Sequence, residues 1–136
     1  YGPRALGNRS LLADPRYNIK NKVNRIKRRQ KFRPFAPAIL EEAYDDYFVG
    51  PANEFMQFVS LAKHDYNSVK HIDGTSRVQI VKNDGSNLRK ILECWYNVTG
   101  CPMLLNTSLN IKGKPMVNNL TDADKFAIMY NTKVFS

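Results

Sequence analysis

The first part of the chain combines a helical repeat with an abrupt stop. Ile19, Val23 and Ile26 recur at helical spacing within residues 16–30, and basic side chains occupy many of the other positions there. This pattern predicts an amphipathic helix with one narrow buried stripe and a basic surface. The helix cannot continue past Pro34, because a proline disfavours a helical conformation in the residue before it.

Three stretches in the middle of the chain predict β-strands. Residues 35–40 and 55–62 are apolar and short enough to be strands, and we expect both of them in the core. Residues 77–81 alternate between polar and apolar side chains, which is the period of a strand with two different faces. We therefore expect that strand to display Arg77 on a defined surface.

The second half of the chain carries helix signals on both sides of one buried strand. Ser86 is a candidate N-cap for a helix that Gly100 would end, and Thr121 with Asp124 forms the pattern that starts a last helix. Between them, residues 102–105 predict a buried strand. The predicted order is roughly β-α-β-α-β-β-α-β-α, which is typical of a mixed α/β, or α+β, domain.

Positive charge is concentrated at the start of the sequence. Eleven of the 21 Lys and Arg residues lie in residues 1–33 with a single acidic residue, Asp14, and the whole chain has a net charge of +9. Local positive charge among short polar motifs favours a site for phosphate groups over a uniformly basic surface. A basic helix beside Tyr17, Phe32 and Phe35 leaves a nucleic-acid-binding surface open as a second interpretation.

The length and composition fit one globular domain, and we expect residues 1–136 to form it. Because the chain opens on Tyr-Gly-Pro-Arg without a methionine, we expect it to be part of a longer polypeptide. No apolar run reaches the roughly 18–20 residues of a membrane helix and nothing resembles a signal peptide, which predicts a cytoplasmic protein without membrane contact. The two cysteines and two histidines form no metal-ligand pattern, so we expect no protein-bound metal.

Two arginines lie in the glycine-containing run GPRALGNRS near the start of the chain. The guanidinium groups of Arg4 and Arg9 are planar forks of donors that can hold a phosphate or a carboxylate with two hydrogen bonds each. Asn8 stands where a P-loop needs lysine, so we reject that motif. The alternative interpretation is a structured turn whose arginines are solvated.

Three further polar runs are candidates for the same site. The basic run at residues 27–37 ends in a turn bracketed by prolines, and Arg77 follows the sequence DGTS. Asn106, Ser108 and Asn110 follow the buried strand at a position where α/β proteins commonly bind ligands. Each run also has a structural interpretation, as a solvated basic face, a cross-strand ion pair or a set of turn formers.

The combination of these motifs in this order resembles one protein family. The runs GPRALGNRSLLADPR, KxRxxFRPFAPAIL, HIDGTSRVQIV and GxPMLLNTSLNIKGKP resemble the C-terminal domain of the O-carbamoyltransferases, the family of nodulation protein NodU and of antibiotic carbamoyltransferases. The resemblance implies a YrdC-like domain, which is an open twisted mixed sheet with flanking helices and a basic concave face. It also implies a larger Kae1-like N-terminal domain in the same polypeptide, outside these 136 residues.

The resemblance further implies a reaction and a set of residues. Proteins of this family use ATP and carbamoyl phosphate to make carbamoyl adenylate, whose carbamoyl group the Kae1-like domain moves to a hydroxyl of the acceptor. By this resemblance the catalytic residues that hold anions are Lys27, Arg33 and Arg77, and the substrate-binding residues are Arg4, Asn106 and Ser108.

Two further expectations concern the metal and the competing function. Mg²⁺ would enter with the nucleotide, because the motifs contain no carboxylate pair to hold it. The competing function is an RNA-binding or nucleotide-binding YrdC-like module without transfer activity. Polar residues distributed through otherwise apolar strands favour a pocket over a nucleic-acid surface.

Overall fold

A computed structural model describes residues 6–28, 30, 33–110 and 115–135 of the chain. Within those residues the protein is a mixed α/β structure with two sheets, which confirms the predicted fold class. The elements in chain order are β1 Ser10–Ala13, α1 Lys20–Ile26, β2 Ala36–Leu40, a 3₁₀-helix Glu41–Ala43, α2 Tyr44–Tyr47, β3 Phe48–Val49, β4 Ser60–Ala62, β5 Thr75–Ser76, β6 Gln79–Val81, α3 Asn87–Thr99, β7 Met103–Ser108 and α4 Leu120–Tyr130. No helix in the described ranges combines the length and the apolar character needed to cross a bilayer.

The larger sheet brings four strand termini together. Its strand order is β1-β7-β2-β6, with β7 antiparallel to both β1 and β2, and β2 parallel to β6. Asn106 lies opposite Ala36, and Ser10 lies opposite Ser108. The starts of β1, β2 and β6 therefore lie at the same end of the sheet as the last residues of β7. We call this the Ser108 end.

The core lies on both faces of the larger sheet. On one face Ile39, Met103 and Leu105 pack with Val23 of α1, and on the other Leu104 packs with residues of α3. All five residues of β2 are buried. A strand covered on both faces needs no polar positions, which explains why residues 35–40 form a continuous apolar run.

The strand predicted at residues 55–62 is mostly wrong. Only β4, at its end, is extended in a sheet, and Phe55, Phe58, Val59 and Leu61 are exposed rather than in the core. Leu61 lies in β4 of the smaller sheet, whose strand order is β3-β4-β5, and the other three residues precede that strand. An apolar run does not reveal whether a second layer covers it.

The first helix is shorter than the predicted range of residues 16–30. Asp14 accepts hydrogen bonds from both the backbone and the guanidinium of Arg16, which keeps the chain after Pro15 in a turn. At the other end Arg28 has a φ of 50°, in the left-handed region that ends a helix. The basic residues predicted to surround one long helix are therefore divided between α1 and the segments beside it.

Two other boundaries also differ from those predicted. The strand expected at residues 102–105 continues to Ser108, because Asn106 and its neighbours pair with both adjacent strands. The last helix is capped by Asn119, whose side chain accepts from the backbone N–H of Asp122, instead of by Thr121. Polar residues can occupy a central strand when they have partners there, and local patterns do not show those partners.

Helix α3 follows its predicted signals and fixes the opposite end of the larger sheet. Ser86 caps its start, and Gly100 ends it with a φ of 70°. The buried Arg89 donates to Glu42 and Glu93, each at 2.6 Å, and to the Val81 carbonyl at 3.3 Å. This ion-pair network ties α3 to the ends of β2 and β6.

Replacing Arg89 with Met should lower the free energy of unfolding by roughly 1–2 kcal/mol at pH 7, because several charged hydrogen bonds are lost at a partly exposed site. Hydrogen bonds from Arg89 hold the pKa of Glu42 below its ordinary 4.5. A carboxyl group with a lowered folded pKa adds stability above the unfolded pKa, and this stability disappears as the pH falls through the folded value. The deficit of Arg89→Met should therefore shrink below pH 4.5 in urea unfolding measurements.

Lys82→Met provides the control, because Lys82 pairs with Glu54 at 2.8 Å with both side chains exposed. We expect it to change the free energy of unfolding by less than about 0.5 kcal/mol. An Arg89→Met deficit that equals the control, or that persists unchanged in acid, would contradict this account.

Candidate functional site

Arg33 and Arg77 line one open cleft at the Ser108 end of the larger sheet. Arg33 lies just before β2 and Arg77 just before β6, and these strands are parallel neighbours. The cleft has a volume of about 1130 Å³, and its charged lining in the described residues also includes Lys20, Lys70 and Asp73. We call it the basic cleft.

Among the described residues, the lining of the basic cleft includes four basic side chains, Lys20, Arg33, Lys70 and Arg77, and one carboxylate, Asp73. Hydrogen bonds from the hydroxyl and the backbone N–H of Thr75 lower the pKa of Asp73, so this carboxylate is ionised and already engaged. The net charge of the lining residues is therefore positive at neutral pH. A concave surface with this charge attracts anions.

Contacts with α1 and a neighbouring loop fix the backbone that carries Arg33. The fully buried Asn24 of α1 donates to the Arg33 carbonyl at 3.0 Å. Two residues later, the backbone N–H of Phe35 donates to the Ser68 carbonyl at 3.0 Å. The guanidinium of Arg33 is exposed at the cleft and donates to Gln30 at 3.1 Å.

Arg77 is exposed in the same cleft. The structure does not support the alternative that Arg77 is a cross-strand ion-pair partner, because no carboxylate in the described ranges lies within 4.0 Å of its guanidinium. Gln79 is two residues further on, where strand alternation would place it on the same face as Arg77, but it is buried. Arg77 therefore stands at the point where the chain leaves solvent and enters β6.

Lys27 reaches the Ser108 end through a different contact. Its side chain is buried, and its ammonium donates to the Ser108 carbonyl at 2.5 Å, to the Ser108 hydroxyl at 3.3 Å and to Asn110 Oδ1 at 3.0 Å. The Ser108 hydroxyl itself donates to Asn110 at 2.6 Å. Lys27 thus joins the end of α1 to the end of β7, and it is not among the described residues that line the basic cleft.

Asn106 is held inside the sheet by a residue that the sequence did not single out. Its amide donates to Gln79 Oε1 at 2.7 Å, and both side chains are buried. The contact crosses β2, where Ala36 and Ala38 lie opposite the two amide residues. Paired residues point to the same face, so two small side chains leave room for the amides to meet above them.

The loop before β1 packs on α3. Gly7 has a φ of 98°, and a Cβ built on it would lie 2.8 Å from Cβ of Leu88. A side chain at this position would both strain the backbone and clash, so the glycine permits the close approach. Arg9 follows in the loop and donates to the Val117 carbonyl at 3.2 Å. Arg4, predicted to bind carbamoyl phosphate, lies outside the described residues.

The structure therefore distributes the predicted residues over three contacts at one end of the sheet. Arg33 and Arg77 share the basic cleft, Lys27 binds Ser108, and Asn106 binds Gln79. Their roles toward a ligand remain predictions.

Sequence reasoning missed Lys70 in the basic cleft. Lys70 immediately precedes the HIDGTSR motif, but nothing in the pattern indicates where its side chain lies. Lys20 is one of the basic residues in the range predicted as the first helix, and nothing in that pattern indicates that it lines the cleft. Their positions depend on how distant segments pack, which local patterns do not encode.

Comparisons with known proteins agree with the motifs. The chain matches the family model described as "Carbamoyltransferase C-terminus" over residues 1–135. It is 41% identical over 134 residues to nodulation protein NolNO of Sinorhizobium fredii, covering 90% of this chain and 20% of that protein. It is 35% identical over 127 residues to 3'-hydroxymethylcephem-O-carbamoyltransferase of Amycolatopsis lactamdurans, covering 89% and 24%. These matches confirm the resemblance predicted from the motifs.

A third relative comes from an archaeon. The chain is 40% identical over 129 residues to uncharacterized protein MJ1051 of Methanocaldococcus jannaschii, covering 90% of this chain and 25% of that protein. The chain thus spans between a fifth and a quarter of the length of these curated relatives.

The buried amide pair provides a test of the site's architecture. Asn106→Ala and Gln79→Ala should each destabilise the protein by roughly 1–3 kcal/mol, because each removes the hydrogen bond between the two buried amides. The two changes together should cost less than their sum, with a coupling of about 1 kcal/mol in urea unfolding. Gln79→Ala combined with Asn97→Ala, on the exposed surface of α3, should be additive. If the effects of Asn106→Ala and Gln79→Ala on the free energy of unfolding were also additive, the pairing of the two amides would be contradicted.

Proposed function

The chain belongs to the carbamoyltransferase C-terminus family, and on that premise we propose that it is the part of an O-carbamoyltransferase that binds ATP and carbamoyl phosphate and forms carbamoyl adenylate. The observation that supports this proposal most directly is the basic cleft, where Arg33 and Arg77 stand at the starts of two neighbouring strands. Fixed cations in a concave surface are what a reaction between two anions requires.

The proposed chemistry proceeds in two steps. Carbamoyl phosphate is first hydrolysed by water to carbamate and inorganic phosphate. A carbamate oxygen then attacks the α-phosphorus of ATP, the bond to the bridging oxygen of the β-phosphate breaks, and pyrophosphate leaves. The protein supplies no nucleophile and no proton acceptor to the second step, so its contribution is positioning and charge neutralisation.

Charge repulsion sets the size of that contribution. Two unit charges 4 Å apart repel by about 1 kcal/mol in water and by several times more in a partly dry cleft. A carbamate that approaches a triphosphate meets several such charges at once. Guanidinium groups suit this task because each can hold two phosphate oxygens in a fixed geometry.

In our proposal the other predicted residues act as follows. Lys27 holds the end of β7, and in our proposal Ser108 and Asn106 hydrogen-bond the adenylate or carbamoyl group from there. Arg4 remains the proposed ligand for carbamoyl phosphate. Arg33 and Arg77 hold phosphates of the nucleotide.

The described residues do not fit a protein-held Mg²⁺ site. Among them no group of three or more His, Cys, Asp or Glu side chains is placed to hold a metal ion. The one carboxylate that lines the basic cleft, Asp73, accepts two hydrogen bonds from Thr75. We therefore propose that Mg²⁺ arrives bound to the nucleotide phosphates, and no step here depends on it.

Transfer of the carbamoyl group is proposed for a different part of the protein. The relatives that the chain matches are about four to five times as long as the matched region. We propose that a Kae1-like N-terminal domain of the same polypeptide receives the adenylate and moves the carbamoyl group to the hydroxyl of an acceptor, with release of AMP.

Arg77→Ala should weaken ATP binding about 10- to 150-fold, because one hydrogen-bonded charge contact is worth roughly 1.5–3 kcal/mol. Arg33→Ala should do the same. Isothermal titration of the chain with ATP and Mg²⁺ measures the change. Arg25→Ala is the matched control, since Arg25 is an exposed arginine of α1 that does not line the cleft. Lys22→Ala is a second control, whereas Lys20 lines the cleft and is unsuitable.

The same variants separate the two candidate functions. A nucleic-acid surface would lose affinity by similar small amounts at Arg25, Lys22, Arg33 and Arg77, and its binding would fall steeply with salt. Equal losses of this kind for a single-stranded RNA, without measurable ATP binding, would contradict the proposed function and favour the RNA-binding module.

The chain alone should release pyrophosphate slowly from ATP when carbamoyl phosphate is present, and it should carbamoylate no alcohol. In our proposal the acceptor hydroxyl is activated in the Kae1-like domain. The described lining of the cleft contains a single histidine, His71, and a single carboxylate, Asp73, which already accepts two hydrogen bonds from Thr75. The chain is incubated with ATP, Mg²⁺, carbamoyl phosphate and a panel of sugars, and pyrophosphate and product mass are followed separately. Omission of carbamoyl phosphate is the control. A carbamoylated sugar would overturn the proposed division of labour.

A further inference from the structure

We propose that Lys70 is an additional oxyanion-binding residue of the basic cleft, presented by a closed turn of residues 64–70, and that it binds a phosphate group. This proposal deepens the function proposed above. It rests on that function only for the identity of the phosphate-bearing molecules that enter the cleft. The shared chemistry is a phosphate oxyanion, which could belong to the nucleotide or to carbamoyl phosphate.

Lys70 has a defined position at the lining of the basic cleft. Its ammonium donates to the His64 carbonyl at 2.9 Å and to Asp65 Oδ1 at 2.9 Å, and its side chain is 18% exposed. The cleft that it lines also contains Arg33 and Arg77. Lys70 is thus a lysine whose end is held beside the two arginines instead of moving freely in solvent.

The turn that carries Lys70 is closed by its own hydrogen bonds. The Tyr66 N–H donates to Nδ1 of His64 at 3.1 Å, and the Val69 N–H donates to the Tyr66 carbonyl at 3.1 Å. Ser68 donates from its hydroxyl to the Tyr17 carbonyl at 2.8 Å. The turn is therefore fastened both to itself and to the segment before α1.

Aromatic packing fixes the start of the turn. The ring of His64 lies 4.9 Å from the rings of both Phe48 and Tyr66. Burial, and then the charge of Lys70, lower the pKa of His64 to about 4. The imidazole is therefore neutral at neutral pH, as its acceptor role toward the Tyr66 N–H requires. A rigid support of this kind lowers the entropy lost when Lys70 binds a ligand.

The donor inventory of Lys70 allows a third bond. An ammonium group has three N–H donors, and the His64 carbonyl and Asp65 engage two of them. Asp65 is fully exposed, so water and salt screen its attraction for Lys70. A phosphate group in the cleft can therefore take the third donor or displace the carboxylate.

The proposed ligands also need more cations than the two arginines supply. A nucleoside triphosphate carries several negative charges near neutral pH and carbamoyl phosphate carries about two. Among the described residues, the lining of the cleft also contains the carboxylate of Asp73. Lys70 lies in the loop between β4 and β5, seven residues before Arg77, and it adds a further cation to the two arginines of the cleft.

The test measures binding of ATP, AMP, carbamoyl phosphate and inorganic phosphate to the chain and to four variants. Lys70→Met should weaken binding of at least one of these anions about tenfold or more. Lys90→Met, an exposed lysine of α3, should leave all affinities within twofold. Asp65→Asn should tighten the binding of the anion that Lys70→Met affects, because the carboxylate that competes for Lys70 is removed. In the double variant Asp65→Asn with Lys70→Met, that gain should disappear.

The pattern of losses identifies the source of the phosphate. A loss for ATP without a loss for AMP or inorganic phosphate assigns Lys70 to the outer phosphates of the nucleotide. A loss for carbamoyl phosphate and inorganic phosphate assigns it to the second substrate. Two results would overturn the proposal. One is unchanged binding of every anion in Lys70→Met. The other is tighter anion binding in Asp65→Asn that persists in the double variant, because it would come from the general loss of a negative charge and not from Lys70.

Folding is checked by urea unfolding of each variant. Where Lys70→Met unfolds, Lys70→Gln replaces it and Lys70→Arg should restore binding, since Arg keeps the charge and donors. Loss of ATP binding in Arg77→Ala with no effect of Lys70→Met or Lys70→Gln on any anion contradicts this inference alone. Absence of ATP binding in the unaltered chain, with phosphate binding that depends on Lys70, contradicts the proposed function and leaves the oxyanion site in place.

Discussion

The contact between Lys27 and the end of β7 is the constraint on which the arrangement of the site depends. A buried ammonium must have oxygen partners, and Lys27 finds three at Ser108 and Asn110. This requirement fixes α1 over the sheet. Asn24, one turn earlier on the same helix, then holds the backbone of Arg33. The buried Lys27 thereby helps to position the exposed Arg33 at the cleft.

Elements with local signals could be predicted from the sequence, and elements whose boundaries depend on distant contacts could not. Helix α3 carries its own N-cap and a glycine with positive φ at its end, so residues 86–100 suffice to define it. The polar end of β7 is stable as a strand only because β1 and β2 pair with it. The apolar residues at 55–61 show the converse, since their pattern does not reveal that Phe55, Phe58, Val59 and Leu61 are exposed.

The same division applies to the candidate site. Arg33 and Arg77 could be singled out because each lies in a motif and just before a strand of one sheet. The partner of Asn106 could not, because Gln79 reaches it across an intervening strand and only the alanines of β2 make that possible. Lys70 could not either, since its location follows from a turn closed by the backbone and by a buried histidine. Pairwise contacts between distant segments are invisible to a local pattern.

Neutral polar groups and fixed cations suit the proposed intermediate better than nucleophiles would. A mixed anhydride of carbamate and AMP reacts with thiolates and amines, so a site that forms it should keep such groups protonated or engaged. Lys27 is buried against three oxygens, and the basic cleft presents two of its cations as guanidinium groups, which are not nucleophilic. The cleft also contains the amines of Lys20 and Lys70. The Lys70 ammonium is engaged by the His64 carbonyl and by Asp65, so its charge is held in place for a bound adenylate.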